Sequence, residues 1–289
     1  MSSAIRSTAA DTLTGGSVQV FGENMWYQAA GVAEENPTVL FLHESGGDSA
    51  TWNGQLAGLS REARCLAVDL PGHGRSEGMG FASVTEYRQA VLEFLDALAI
   101  RWPVVLAGVC LGAAIAVDMA RHAPTRVAGL VLAGVVDGGR ATERIRSRTA
   151  LGEAQEGFVD DLFGPRVAPR MRDERLRRWQ LTSPLARHAD LMALSTYPLA
   201  RTMRQVSHAM VLVAGEEDRV VAPRQVYELA AGLPQARVVT VPEAGCLAMV
   251  EQPAAFNRAA ASFLATLQGA RPMGTVQRLP GGYRRRLPR

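Results

Sequence analysis

The sequence predicts an α/β protein: a mostly parallel central sheet with helices on both faces and one helical insertion. Three observations carry this. Continuous apolar runs such as Thr38 to His43 recur between amphipathic stretches, as strands buried on both faces do. Pro103 to Ala114 reads as a buried strand, a tight Gly-x-Cys-x-Gly turn and an Ala-rich helix. From residue 136 to 205 the alternation gives way to arginine-rich amphipathic stretches broken by Pro165, Pro169, Pro184 and Pro198, and then resumes.

Taken in order, Ser17 to Phe21 and Met25 to Ala30 predict two strands joined by a turn at Gly22-Glu23-Asn24. Thr38 to His43 is the next strand, followed by the loop Glu44 to Asp48 and a helix over Trp52 to Leu59. Cys65 to Leu70 is a strand. Ser83 and Glu86 form a capping box for a helix with Tyr87, Val91, Phe94, Leu95 and Leu98 on one face. After the strand–turn–helix at Cys110 comes a strand over Val127 to Leu132. Within the insertion, helices are expected over 141–150, 154–163 and 170–181. The chain then returns to a strand (Ala209 to Ala214), a helix opened by Pro223, a strand (Ala236 to Val241) and a last helix (Pro253 to Leu267). The expected domain plan is a flexible 1–16, a core of 17–135 and 206–268, a helical cap of 136–205 and a basic disordered tail of 269–289.

With 289 residues, 47% hydrophobic and 20% charged, the chain suits one large domain with an insert. It contains no run of 18 apolar residues, so no transmembrane helix is expected. The N-terminus lacks a signal-peptide core, and Cys65, Cys110 and Cys246 form no disulfide framework, so the default expectation is cytoplasmic. All 31 basic residues are arginine, which excludes lysine Schiff-base and P-loop chemistry. Thirteen of them lie between Gly138 and Gln205 and six between Gly269 and Arg289. A solvated tail is favoured over one that contacts membrane or nucleic acid.

Cys110 is the residue the turn singles out. Gly108 and Gly112 flank it where backbone must crowd backbone, and the following helix aims its positive end at the thiol. A thiol's pKa is about 8.5, and a helix N-terminus lowers it toward thiolate.

Several motifs in order make the chain resemble the α/β-hydrolase superfamily over about residues 17–269. Leu42-His43-x-Ser45-Gly46-Gly47 is similar to its oxyanion loop, and Asp69-Leu70-Pro71-Gly72-His73-Gly74-Arg75-Ser76 to the turn after its fourth strand. Gly108-Val109-Cys110-Leu111-Gly112 occupies the nucleophile elbow. Gly215 to Pro223 matches the loop that carries the triad acid, at Asp218, and Pro242 to Pro253 matches the segment that normally reads Gly-His. The resemblance implies that the backbone amides of Ser45 and Leu111 form the oxyanion hole and that His43 and His73 are structural. Three positions depart from the pattern: Cys110 for serine, Cys246 for histidine, and Glu44 where glycine is common.

Those departures point to altered chemistry. A thiol can accept an acyl group without a base, but hydrolysis of the thioester needs a proton acceptor for water, worth roughly 10²- to 10⁴-fold. Acyl transfer to an amine, thiol or alcohol is therefore favoured over hydrolysis. Glu44 and His188 are candidate substitute bases; Glu44 is weighed equally as a residue turned to solvent or paired with a cap arginine. Asp218, lacking its imidazole, keeps its loop or holds a water. A Cys110–Cys246 disulfide is disfavoured because a short thiol in place of the long imidazole should leave the β-carbons beyond the roughly 3.5–4.5 Å that a disulfide needs. A metal site at Cys110, Cys246 and Asp218 is disfavoured too, and no cofactor is expected. The expected substrate is a small-molecule acyl group, carried on CoA or an acyl carrier protein, whose phosphate suits arginine. A lyase or cyclase using Glu44 and a catalytically inactive binding protein remain open alternatives.

Overall fold

Residues 13–31, 37–135 and 159–269 are described by the computed structural model. Eight strands form one sheet: β1 (Thr14–Val20), β2 (Glu23–Ala30), β3 (Thr38–Leu42), β4 (Arg64–Val68), β5 (Val104–Val109), β6 (Val127–Ala133), β7 (Met210–Gly215) and β8 (Ala236–Val241). Their spatial order is β1-β2-β4-β3-β5-β6-β7-β8. β1 and β2 are an antiparallel hairpin, and β2 is also antiparallel to β4; every other pairing is parallel. The parallel strands are wound through α1 (Asn53–Leu59), α2 (Val84–Ala97) and α3 (Leu111–His122), then α4 (Pro169–Leu181), α5 (Pro184–Thr196), α6 (Leu199–Met203), α7 (Pro223–Ala231), α8 (Ala248–Glu251) and α9 (Pro253–Gly269).

The strands match their sequence pattern for a physical reason. Every residue of β3, β5 and β7 is buried, so both faces of the sheet are covered and no polar alternation is needed. Helices pair over it, α2 with α3 and α1 with α9. Tyr87, Ala90, Val91, Phe94 and Leu95 are the buried stripe of α2, and Ser83 caps that helix through the Glu86 amide at 3.3 Å. Phe41, Trp52 and Phe256 stack in sequence, at 5.0 and 5.8 Å between ring centroids, each fully buried. Burial of side chains this size stabilises by about 1.5–3 kcal/mol apiece.

Some boundaries differ from expectation. β1 begins at Thr14, inside the segment expected to be flexible. Its hairpin turn is Phe21-Gly22, both at positive φ, because Val20 pairs directly with Glu23. The helices expected over 141–150 and over the first part of 154–163, and the tail beyond residue 269, lie outside the described residues. Among the described residues, no helix is long and apolar enough to cross a membrane.

Candidate active site

Cys110 sits between β5 and α3 with φ +50° and ψ −106°, a strained conformation that a nucleophile elbow imposes. Glycine is required on both sides. A Cβ at Gly108 would strike the Gly112 carbonyl, and one at Gly112 would strike the Leu42 carbonyl on the next strand. Gly112→Ala is thus expected to destabilise the protein by about 3 kcal/mol or more, read by denaturant unfolding; a loss below about 1 kcal/mol would contradict this packing.

β3 and β5 are neighbours, so the loop after β3 and the elbow leave adjacent strand ends. The Gly112 amide donates to the His43 carbonyl at 3.1 Å and ties them together. In that loop the Gly46 amide donates to Asp190 Oδ2 at 3.3 Å and the Gly47 amide to the Glu44 carbonyl at 3.0 Å. Among the hydrogen bonds of the described residues, none uses the Ser45 or Leu111 N–H; Leu111 opens its helix, where amides have no intrahelical partner.

Cys246 follows β8 and is buried beside Cys110, with the sulfurs 3.5 Å apart. Both thiols are free. The sequence disfavours a disulfide here; the two sulfurs are in contact without being bonded. The thiol pKa of Cys246 is raised well above the ordinary value, first by its hydrogen bond with Cys110 and then by burial. Asp218 lies on the loop after β7. Its Oδ1 accepts from the Val220 and Val221 amides at 2.7 and 2.9 Å. Burial pushes its pKa up to about 6, although those amides favour the charged form. Asp218 therefore keeps its loop, one of the two roles expected of it.

Glu44 is buried and not turned to solvent. Its Oε1 is ion-paired with Arg175 Nε at 2.9 Å and accepts from Thr51 Oγ1 at 3.3 Å. Among the described residues its Oε2 has no hydrogen-bond partner. His188 is exposed on α5, which removes it as a substitute base in this conformation. The residue of α5 that turns inward is Asp190, fully buried. It accepts from Ser45 Oγ at 2.8 Å, His73 Nε2 at 2.9 Å and Tyr87 Oη at 2.5 Å. Burial opposes charge on both partners, yet their mutual attraction and hydrogen bonds raise the His73 pKa and lower that of Asp190.

Arginines of α4 act in the same way. Arg175 donates to the Gly46 and Ser45 carbonyls at 2.8 and 2.9 Å, and Arg178 reaches Asp48 at 2.6 Å. The oxyanion-type loop is thus gripped by Arg175 of α4 and Asp190 of α5, two residues the sequence reading missed. The signal was present: Asp190 shares a helical face with Ala186, Ala193 and Leu194, and Arg175 lies one turn before Trp179, all buried. Among the described residues, no group of three or more His, Cys, Asp or Glu is arranged to hold a metal.

The sequence model of the alpha/beta hydrolase family matches residues 39–259. The chain is 28% identical over 258 residues to the dihydrolipoyllysine-residue acetyltransferase component of the acetoin cleaving system of Pseudomonas putida, covering 83% of this chain and 66% of that protein, about two thirds of its length. It is 26% identical to a haloalkane dehalogenase of Mesorhizobium japonicum, covering 86% and 90%. It is 27% identical to a pimeloyl-[acyl-carrier protein] methyl ester esterase of Nitrosomonas europaea, covering 72% and 88%. Among solved structures, a hydrolase from Pseudomonas aeruginosa PA01 superposes with a TM-score of 0.75 at 28% identity, covering 88% of this chain and 99% of that one.

Proposed function

The chain belongs to the alpha/beta hydrolase family, and from that premise we propose that it is an acyl-transferring enzyme with Cys110 as nucleophile. The observation that carries this is the cysteine pair: a thiol at the strained elbow, and a second thiol 3.5 Å away where the family places its base. Cys110 attacks the acyl carbonyl, and the Ser45 and Leu111 amides receive the charge on its oxygen. The Cys110 proton passes to solvent as the thiolate attacks; collapse expels the donor's thiolate, or its alcohol once a solvent proton has reached the leaving oxygen, and leaves a thioester on Cys110. Cys246, held protonated, shares a hydrogen bond with Cys110 and cannot accept a proton from water. Hydrolysis then lacks general-base help, and the acyl group waits for a second nucleophile that carries its own basicity.

The relatives' names support a hydrolase-type enzyme; one is a transferase component and another acts on an ester borne by an acyl carrier protein, while the third, a haloalkane dehalogenase, names no acyl group. A donor on CoA or an acyl carrier protein fits this reading. The cap arginines offer it less than their number suggests, since Arg175 and Arg178 are spent on the core.

A second reading uses Glu44, whose Oε2 is buried without a partner. Here the carboxylate removes a proton from substrate and no covalent intermediate forms, as in a lyase or cyclase. One experiment separates the two. Intact mass is recorded after mixing with a panel of acyl-pantetheine thioesters. A stable acyl adduct in the wild type and in Glu44→Gln, absent in Cys110→Ala, is the expected result. Turnover that survives in Cys110→Ala and is lost in Glu44→Gln selects the second reading. Rapid steady-state hydrolysis of a simple ester by the wild type sinks the transfer reading.

A further inference from the structure

We propose that Cys110 and Cys246 are also an oxidation site, at which a hydroperoxide converts the two thiols to a reversible disulfide that blocks the elbow. This holds whether or not Cys110 carries acyl groups. The geometry is already close to bonding. The sulfurs are 3.5 Å apart, and a disulfide of about 2.0 Å needs them to approach by roughly 1.5 Å. Gly134, just after β6, is what lets them meet. A Cβ there would lie 2.7 Å from Cys246 Sγ and 2.8 Å from Cys110 Sγ, so both thiols rest on a residue with no side chain.

The backbone beneath each sulfur is fixed. The Cys110 amide donates to the Ala133 carbonyl at 3.2 Å, next to Gly134. Cys246 is flanked by the Gly245 amide on Glu251 Oε1 at 2.7 Å and the Leu247 amide on the Leu162 carbonyl at 3.1 Å. The remaining approach falls on the two side chains.

The pair is also ordered by access. Cys110 is 8% exposed and Cys246 only 1%, so a peroxide meets Cys110 first. The Cys110 sulfur takes the terminal peroxide oxygen, the O–O bond breaks, and the alcohol or water leaves after protonation by solvent. Cys110 is then a sulfenic acid. The Cys246 sulfur attacks the Cys110 sulfur, the S–O bond breaks, and the departing hydroxide takes the Cys246 proton to leave as water. In sum, two thiols and one hydroperoxide give one disulfide, one alcohol (water when the oxidant is hydrogen peroxide) and one water. Cys65 stands outside this chemistry, its pKa pushed up to about 12 by burial and by Glu62.

The test uses the full chain, reduced and then treated with hydrogen peroxide, quenched with an alkylating reagent under denaturing conditions, and digested without reductant. The expected result is about one disulfide per chain, a loss of about 2 Da, joining the peptides that contain Cys110 and Cys246, with full reversal by dithiothreitol. In Cys246→Ala the same treatment is expected to drive Cys110 on to sulfinic acid. Wild-type protein that gains oxygen on Cys110 while Cys246 is still fully alkylated would overturn the proposal. So would wild-type protein unchanged at a peroxide dose that oxidises Cys110 in Cys246→Ala. Both readouts follow sulfur chemistry alone, so failure here leaves the acyl-transfer reading standing, and failure of that reading leaves this one.

Discussion

Replacing Cys246 with histidine is expected to speed the loss of an acyl group from Cys110 to water by roughly 10²- to 10⁴-fold, the usual worth of general-base help. In the wild type the Cys110 sulfur is hydrogen-bonded to another thiol, 3.5 Å away and held protonated by that contact and by burial. That second thiol has no capacity to take a proton from attacking water. An imidazole has, and Asp218 is on the neighbouring loop to orient it, its carboxylate buried with a pKa of about 6. Decay of the acyl mass in a single turnover should then rise as pH increases through about 6.5, where an ordinary imidazole loses its proton. Cys246→Ala should show no such rise. The larger ring will strain the packing by about 1–3 kcal/mol, so the rate is compared on protein whose circular dichroism matches the wild type. A folded variant that holds its acyl group as long as the wild type would show that the missing imidazole is not what excludes water.

What the sequence disclosed, and what it withheld, divides along local and tertiary lines. The strands were legible because burial on both faces makes them continuous apolar runs, and α2 because its stripe and Ser83 cap are local signals. The elbow was legible because only glycine tolerates the approaches at Gly108 and Gly112. His188 is a candidate helper in the sequence because of what imidazole can do. Asp190, two residues on, points to the opposite side of α5 and is the one that reaches the loop. Residue type suggested the chemistry, but helical face decided the contact. Arg175 was one of many arginines, and nothing near it in sequence announces carbonyls 129 and 130 residues away.

The Asp190 carboxylate carries the second large expectation. Asp190→Ala should destabilise the protein by about 3–5 kcal/mol, the usual cost of leaving a buried charge without its partner. The carboxylate is fully buried and receives four donors: Ser45 Oγ, His73 Nε2, Tyr87 Oη and the Gly46 amide. Its loss strands all four and frees the loop that presents the Ser45 amide, so acylation of Cys110 should slow as well. The dependence on pH separates this pair from simple packing. His73 has a pKa raised above 6.5, so its contribution is complete below about 6.5 and fades as pH rises through the folded value. Asp190 has a pKa lowered below 3.8, so its contribution is complete above about 3.8 and fades as pH falls through the folded value. Together they peak between those limits. His43 works against them in acid. Burial, then the His73 charge, hold its pKa near 3, so the stability it lends at neutral pH is lost as pH falls from about 6.5 toward that value. Its ring nitrogens explain why: Nε2 accepts from the Leu70 amide at 2.9 Å and Nδ1 donates to the Glu44 carbonyl at 2.7 Å, which leaves no place for a second proton. Subtracting the variant's denaturant stability from the wild type's removes most of the His43 contribution. The difference should be greatest between about pH 4 and 6.5 and shrink on the alkaline side. A difference constant from pH 4.5 to 9 would mean that Asp190 supports the loop by shape and hydrogen bonds, with no charge on His73 to hold.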